Sequence, residues 1–341
     1  MSSNAVDAPR ISASGEPTLS IVVPAFNEAG NLERFFEELE PVAREIQLPW
    51  ELIIVDDGST DDTWEKVRTL NGRDPRVRGI RFSRNFGHQY ALLAGLSRAR
   101  GDAVVSMDAD LQHPPQVIAR LVEEWRKGSQ IVHTLRRDSE SVSLFKRVSS
   151  RLFYRAFSFL SGTHLAEGMA DFRLLDQQVV RSLLEFPEEG LFLRGLVHWV
   201  GFTNTSVAFE CRPRFRGRTT YTLRRMLRFA WTGVTSFSLV PLRLSILLGF
   251  LTSAFAFEQL LEAIYGKLVL KATVPGWAQT MVVVSLLFGV LFIMLGIVGE
   301  YVGRILIEVR RRPRFIVLEE LGAMAPGSGV SPEQAASQPR S

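Results

Sequence analysis

The chain has 341 residues, of which 46% are hydrophobic and 22% charged, with a formal net charge of +4. That length supports one or two domains with real cores and excludes a mini-protein held together by staples. The single Cys211 permits no intrachain disulfide, which fits a reducing compartment, and +4 is too small a charge to argue for nucleic acid. The averages hide an uneven distribution. Residues 239–303 carry only Arg243, Glu258, Glu262, Lys267, Lys271 and Glu300, about 9%, whereas the remaining 276 residues carry 70 charges, about 25%. An ordinary globular domain is joined to something much more apolar.

Residues 1–18 lack the apolar run of a secretory signal and read as a disordered tail. From residue 19 short apolar runs alternate with helical patterns. Residues 19–23, 51–55, 77–82 and 103–107 are expected strands; 31–46, 63–70 and 90–100 are expected helices. This alternation predicts an α/β domain over 19–222, with a mostly parallel sheet, helices on both faces, and ligands beyond the carboxyl ends of the strands. The polar residues cluster at those ends, as Pro24-Ala25-Phe26-Asn27-Glu28, Asp56-Asp57-Gly58-Ser59, Ser83-Arg84-Asn85-Phe86-Gly87 and Asp108-Ala109-Asp110-Leu111-Gln112. No G-x-G-x-x-G follows the first strand and no Walker A motif occurs, which disfavours a dinucleotide oxidoreductase or a P-loop NTPase.

Asp108 and Asp110 are the sharpest chemical feature. In an extended segment residues two apart point the same way, so both carboxylates can converge, and Gln112 continues the row with a neutral oxygen. Hard oxygen donors of this kind suit Mg²⁺ or Mn²⁺, which keep waters and bridge phosphates. A lone D-x-D also reads as a solvated acidic turn; here the neighbouring strands end in carboxylates too. At the second strand end, Ser59–Asp61 are expected to cap the next helix and Asp56–Asp57 to contact ligand.

The segments P-A-F-N-E (24–28), I-I-V-D-D-G-S-T-D (53–61), N-F-G-H-Q-Y-A-L-L-A-G (85–95) and D-A-D-L-Q-H-P-P (108–115) resemble the GT-A-fold, family 2 glycosyltransferases. More narrowly they are similar to the polyprenyl-phosphate glycosyltransferases, and the likeness runs over about residues 19–316. The resemblance implies a nucleotide-sugar site at Pro24, Phe26, Glu28, Val55, Asp57, Asp108 and Ala109. Phe26 stands where the family often has Tyr. It implies a divalent metal, Mg²⁺ or Mn²⁺, on Asp108, Asp110 and Gln112, and Arg136 on phosphate. Lys146, Arg147, Arg151 and Arg155, on a helix expected at 145–159, are placed near the acceptor phosphate. Asp171, in G-M-A-D-F-R, becomes the candidate catalytic carboxylate beside Asp108 and Asp110. Arg214, Arg216 and Thr219 match the family's R-x-x-G-x-[ST]-K loop, which departs here at Arg218 and at Thr220, where lysine is usual. Inversion at the sugar carbon, a polyprenyl phosphate acceptor and a homo-oligomer, a tetramer by resemblance, are also implied. The stretches 171–176 and 192–197 look closer to the bactoprenol glucosyltransferases, so UDP-glucose is the expected donor.

Over residues 223–238, Leu223, Met226, Leu227, Ala230, Trp231 and Val234 recur at helical spacing, with Arg224, Arg225 and Arg228 on another face. Such a helix suits a membrane surface, although a core-facing helix with a basic back has the same pattern. Residues 278–299 carry no charge and predict a membrane span over 277–303. The segment 239–265 is less clean, with 14 residues between Arg243 and Glu258, a length that by itself suits a buried helix. It is read as the first arm of a hairpin, because Arg224, Arg225, Arg228 and Arg243 precede or open it and Arg304, Arg310, Arg311, Arg312 and Arg314 follow its partner. Lys267 and Lys271 alone occupy the loop. The positive-inside bias then places both termini and the catalytic domain on the cytoplasmic side of the inner membrane. Residues 304–341 are expected to be a basic juxtamembrane segment followed by a disordered tail.

Overall fold

The computed structural model describes residues 18–137, 169–186, 193–210, 240–268 and 276–322. Its first half alternates β1 (Leu19–Ala25), α1 (Leu32–Glu45), β2 (Trp50–Asp56), α2 (Thr63–Arg73), β3 (Val77–Phe82), α3 (His88–Arg98), β4 (Ala103–Ser106) and α4 (Val117–Arg126). Then follow β5 (Ile131–Arg137), β6 (Met169–Asp176), α5 (Gln177–Glu185), α6 (Leu193–Trp199) and β7 (Asn204–Glu210). Two long helices, α7 (Val240–Leu268) and α8 (Trp277–Arg310), precede a last strand, β8 (Val317–Leu321). The expected mostly parallel α/β architecture is the one found.

All eight strands form one sheet in the order β7-β5-β6-β4-β1-β2-β3-β8. β1 pairs in parallel with β2 and β4, and β2 with β3, while β6 runs antiparallel to both β4 and β5. The central strands are apolar runs because helices cover both faces. One face packs Ile21, Leu52 and Val105 under Phe35, Trp64 and Leu121; the other packs Val22, Ile53 and Val104 under Leu92, Val180 and Leu196. α3 crosses β1 so closely that a Cβ on Gly95 would lie 2.2 Å from Val22 Cγ1.

Charged groups sort by the end of the sheet they occupy. Near the amino ends of β1–β3, buried Glu51 accepts from Ser20 Oγ and Arg78 Nη1, both at 2.7 Å, and from the Arg100 N–H at 2.9 Å. Those contacts tie the amino ends of the strands together and are structural. The functional acids gather at the other end.

α7 and α8 contain segments long and apolar enough to cross a membrane, Leu242–Glu262 and Val283–Arg310. They pack on each other, with Gly249 against Met294, and their outward faces stay bare: Phe250 is 72% and Ile293 63% exposed. Apolar faces of this extent associate with membrane. The helix expected at 223–238 lies outside the described residues, as do residues 1–17 and 323–341.

The sequence reading of 304–341 contains no strand, and here the structure adds one. β8 pairs antiparallel with β3 and closes that edge of the sheet. Glu319 accepts from Trp64 Nε1 at 2.9 Å and from Arg68 Nη2 at 2.8 Å, and Phe315 stacks on Phe82 at 5.0 Å. The strand follows α8 after only six residues, so this long apolar helix is tied directly to the sheet.

Candidate active site

At the carboxyl ends of β1 and β2 the two expected nucleotide segments lock together. The Asp57 N–H donates to the Ala25 carbonyl, the Asn27 N–H to Ser59 Oγ, and the Glu28 N–H to Thr63 Oγ1, each at 2.9 Å. Ser59 therefore holds Asn27 and caps nothing; the turn into α2 is closed by Asp61, whose carboxylate accepts the Thr63 N–H at 3.1 Å. The two adjacent acids divide. Asp56 is fully buried and accepts the Ser59 N–H, a structural turn. Asp57 accepts from the Phe86 N–H at 2.7 Å and the Gly87 N–H at 2.9 Å, and so holds the loop after β3. Burial raises its pKa above the usual carboxylate value, and those two N–H donors partly offset the rise. Gly58, at φ +68°, lets that loop approach: a Cβ there would lie 2.3 Å from the Arg84 carbonyl carbon.

Phe26, the residue after β1, is 45% exposed. Pro24, Val55 and Ala109 are buried. Arg136 is exposed near the end of β5, which lies beside the start of β6.

The D-x-D row departs from the sequence argument. β4 stops at Ser106, and Asp108–Gln112 form a turn, with Leu111 at φ +63°. Asp110 Oδ1 accepts the Gln112 N–H at 3.1 Å. The alternation of an extended strand therefore does not apply; a left-handed residue redirects the chain between Asp110 and Gln112. Asp108 opens this turn partly exposed, and Asp110 lies within it buried. His113 supports it from behind. Its Nδ1 accepts the Asp108 N–H at 3.2 Å, and its ring lies against Phe172 at 5.0 Å and Phe209 at 5.8 Å. Among the described residues no three His, Cys, Asp or Glu side chains gather into a closed metal cage. Two carboxylates and an amide on an open turn suit a Mg²⁺ or Mn²⁺ ion that completes its shell with waters and phosphate oxygens.

Asp171 reaches the site because β6 is antiparallel to β4. Register pairs Arg173 with Ser106, so continuing past the end of β4 carries Asp171 toward Asp108. Asp171 is 7% exposed. Its Oδ1 binds Arg173 Nη2 at 2.7 Å, and its carbonyl accepts Ser106 Oγ at 2.6 Å. His88, the first residue of α3, stands between the acids, its Nε2 being 3.5 Å from Asp171 Oδ2 and 3.7 Å from Asp108 Oδ1. Sequence reasoning singled out neither His88 nor His113, though both lie inside quoted motifs. Lys146, Arg147, Arg151, Arg155, Arg214, Arg216 and Thr219 lie outside the described residues.

Residues 20–184 match the family model described as "Glycosyl transferase family 2". An uncharacterized glycosyltransferase of Bacillus subtilis, YkcC, is 38% identical over 89% of this chain and 94% of its own length. The SfII prophage-derived bactoprenol glucosyl transferase of Shigella flexneri is 36% identical over 88% of this chain and 97% of its own. Among solved structures, a mannosyltransferase from Pyrobaculum calidifontis, in complex with GDP-Man and Mn²⁺, aligns at TM-score 0.45 and 20% identity over 62% of this chain and 61% of its own. With relatives this similar along nearly the whole chain and acids gathered at the strand ends, the protein belongs to glycosyl transferase family 2 and is a glycosyltransferase.

Proposed function

We propose that the enzyme transfers one sugar from a nucleotide sugar, UDP-glucose, to a polyprenyl phosphate, undecaprenyl phosphate, at the cytoplasmic face of the inner membrane. The observation that carries this reading is the join between the donor end of the sheet and the bilayer. β8, six residues beyond α8, pairs with β3, and the loop after β3 supplies the N–H donors to Asp57. A water-soluble donor site bound this directly to membrane helices suits an acceptor that stays in the membrane. The relatives named as bactoprenol glucosyl transferases support the same acceptor class. The arginines at 304–314 support a cytoplasmic catalytic domain. The product, a lipid-linked sugar, would serve cell-surface glycan modification.

Phe26, Glu28 and Asp57 would bind the nucleoside, with Pro24, Val55 and Ala109 beside it. Asp108 and Asp110 would hold the metal with Gln112. The ion supplies charge neutralisation for the departing diphosphate. Arg136 would contact the donor phosphates. Lys146, Arg147, Arg151, Arg214, Arg216 and Thr219 would receive the lipid phosphate. A phosphate monoester with second pKa near 6 is largely dianionic at neutral pH. One of its oxygens can form the new bond to the sugar carbon while the old bond's electron pair leaves on the diphosphate, inverting that centre. No proton has to be removed. Asp171, tied to Arg173, fits an orienting role better than that of a base. Purified enzyme supplied with undecaprenyl phosphate and a panel of UDP- and GDP-sugars tests the reading. UDP release with UDP-glucose alone is expected, and release with GDP-mannose instead would reassign the donor.

A further inference from the structure

The loop after β3 carries the two N–H groups that hold Asp57, so whatever fixes that loop also fixes the carboxylate. Burial disfavours the charged form of Asp57, and the Phe86 and Gly87 N–H groups counter that cost. Inside the loop, Arg84 lies 4.0 Å over the Phe86 ring and donates from Nη1 to the Asn85 carbonyl at 3.0 Å. Both contacts are internal and tie the loop to nothing beyond itself.

Its outward anchors include the segment that follows α8. Arg314 Nη2 donates to the carbonyl of Phe186, just past the end of α5. Phe315 stacks on Phe82, the last residue of β3, with ring centroids 5.0 Å apart and planes 14° from parallel. Phe86 meets the same Phe82 ring edge-on, at 5.7 Å and 86°. The Ile316 carbonyl takes the Ser83 N–H at 3.0 Å. Phe82 is 1% exposed, so its ring passes the position of Phe315 to Phe86 through packed core. Aromatic pairs of this kind are directional, and removing one ring changes where the others settle. A line of contacts, Phe315–Phe82–Phe86–Asp57, thus runs from the exit of α8 to a carboxylate at the strand ends.

We infer that Phe315 is a positioning residue for Asp57 and thereby sets the affinity for the nucleotide, an inference that rests on the nucleotide role given to Asp57 above. Through Phe82 it holds the Phe86 and Gly87 N–H groups against the carboxylate. Reciprocally, a nucleotide bound at Asp57 stabilises the seat of Phe315.

The test uses the full-length protein in detergent with Mn²⁺, read by amide hydrogen exchange over residues 84–87 and by calorimetric affinity for UDP. Phe315→Ala should speed exchange at Phe86 and Gly87 and weaken UDP about fivefold, the worth of one aromatic pair. Phe315→Tyr keeps the stacked ring and should recover both. Leu318→Ala, at a β8 side chain that is 63% exposed, should change neither. On an Asp57→Ala background, Phe315→Ala should no longer affect UDP, because its effect passes through that carboxylate. Unchanged exchange at Phe86 and Gly87, or an equal loss of affinity without Asp57, overturns the inference. GDP is titrated in parallel and carries the same comparison if the wild type binds it instead. Full nucleotide affinity in Asp57→Ala alone would overturn the nucleotide role of Asp57, while the exchange result would still decide whether Phe315 holds the loop.

Discussion

His113 accepts the Asp108 N–H through Nδ1, which places its own proton on Nε2 and makes it a fixed prop for the D-x-D turn. His88 Nε2 lies 3.7 Å from Asp108 Oδ1, with its side chain 41% exposed. Asp110→Asn keeps the size of the side chain and the acceptor for the Gln112 N–H but removes the charge of the proposed metal ligand. It should lower metal-dependent transfer by at least about 10²-fold with little change in thermal midpoint, read by turnover against a Mn²⁺ titration. A different histidine governs acid stability. Burial, with Arg173 and His198 adding to it, pushes the His133 pKa down to about 3, and its Nε2 is a buried atom without a hydrogen-bond partner. The native state keeps this ring neutral, whereas the unfolded chain binds a proton near pH 6.5. This residue's effect on stability is therefore nil above pH 6.5, and between pH 6.5 and 3 it lowers stability by up to about 1.4 kcal/mol per pH unit. His133→Phe should flatten that slope by close to one proton's worth in denaturation curves taken at successive pH values. None of the three histidines was legible as functional or structural from sequence, because each role is set by neighbours from distant segments. Phe172 and Phe209 flank His113, Asp171 faces His88, and His198 stacks on His133. The acids were legible because they fall where parallel strands end.

The first four strands and the helices between them could be read from the sequence because doubly covered parallel strands are apolar runs. β8 could not. Its five residues, Val-Leu-Glu-Glu-Leu, carry two charges, and their partners Trp64, Arg68 and Arg98 lie more than 200 positions away. The route of Asp171 into the site was hidden for the same kind of reason: it depends on β6 being antiparallel, which no local pattern announces. Two element-scale predictions follow from the packing. Gly95→Ala improves helix propensity by about 1 kcal/mol, yet its new methyl meets Val22 in the core. Overpacking should win, with a net loss of about 1–3 kcal/mol in urea denaturation. Ending the chain after Pro313 removes the strand that covers β3, including the Ile316 carbonyl that takes the Ser83 N–H at 3.0 Å. Hydrogen exchange should accelerate along β3 and the 84–87 loop, and UDP affinity should fall with it, because that loop positions Asp57.

At the scale of the molecule, the uneven charge of the sequence corresponds to two physical environments joined through one strand. A sheet buried on both faces carries the acids, and a pair of helices with bare apolar flanks carries almost no charge. The arginines between them mark the boundary. This division was legible from composition alone; the rigid join was not, since it rests on β8. On the proposed function, the join brings a nucleotide-sugar site to a lipid phosphate. The most direct measurement supplies purified enzyme in detergent or proteoliposomes with radiolabelled UDP-glucose, undecaprenyl phosphate and Mg²⁺ or Mn²⁺, and follows the label. The account predicts one label per UDP released, in an organic-extractable lipid, with no transfer when the polyprenyl phosphate or the metal is omitted. Label appearing only in water-soluble or polymeric product, or release that ignores the lipid, would contradict it.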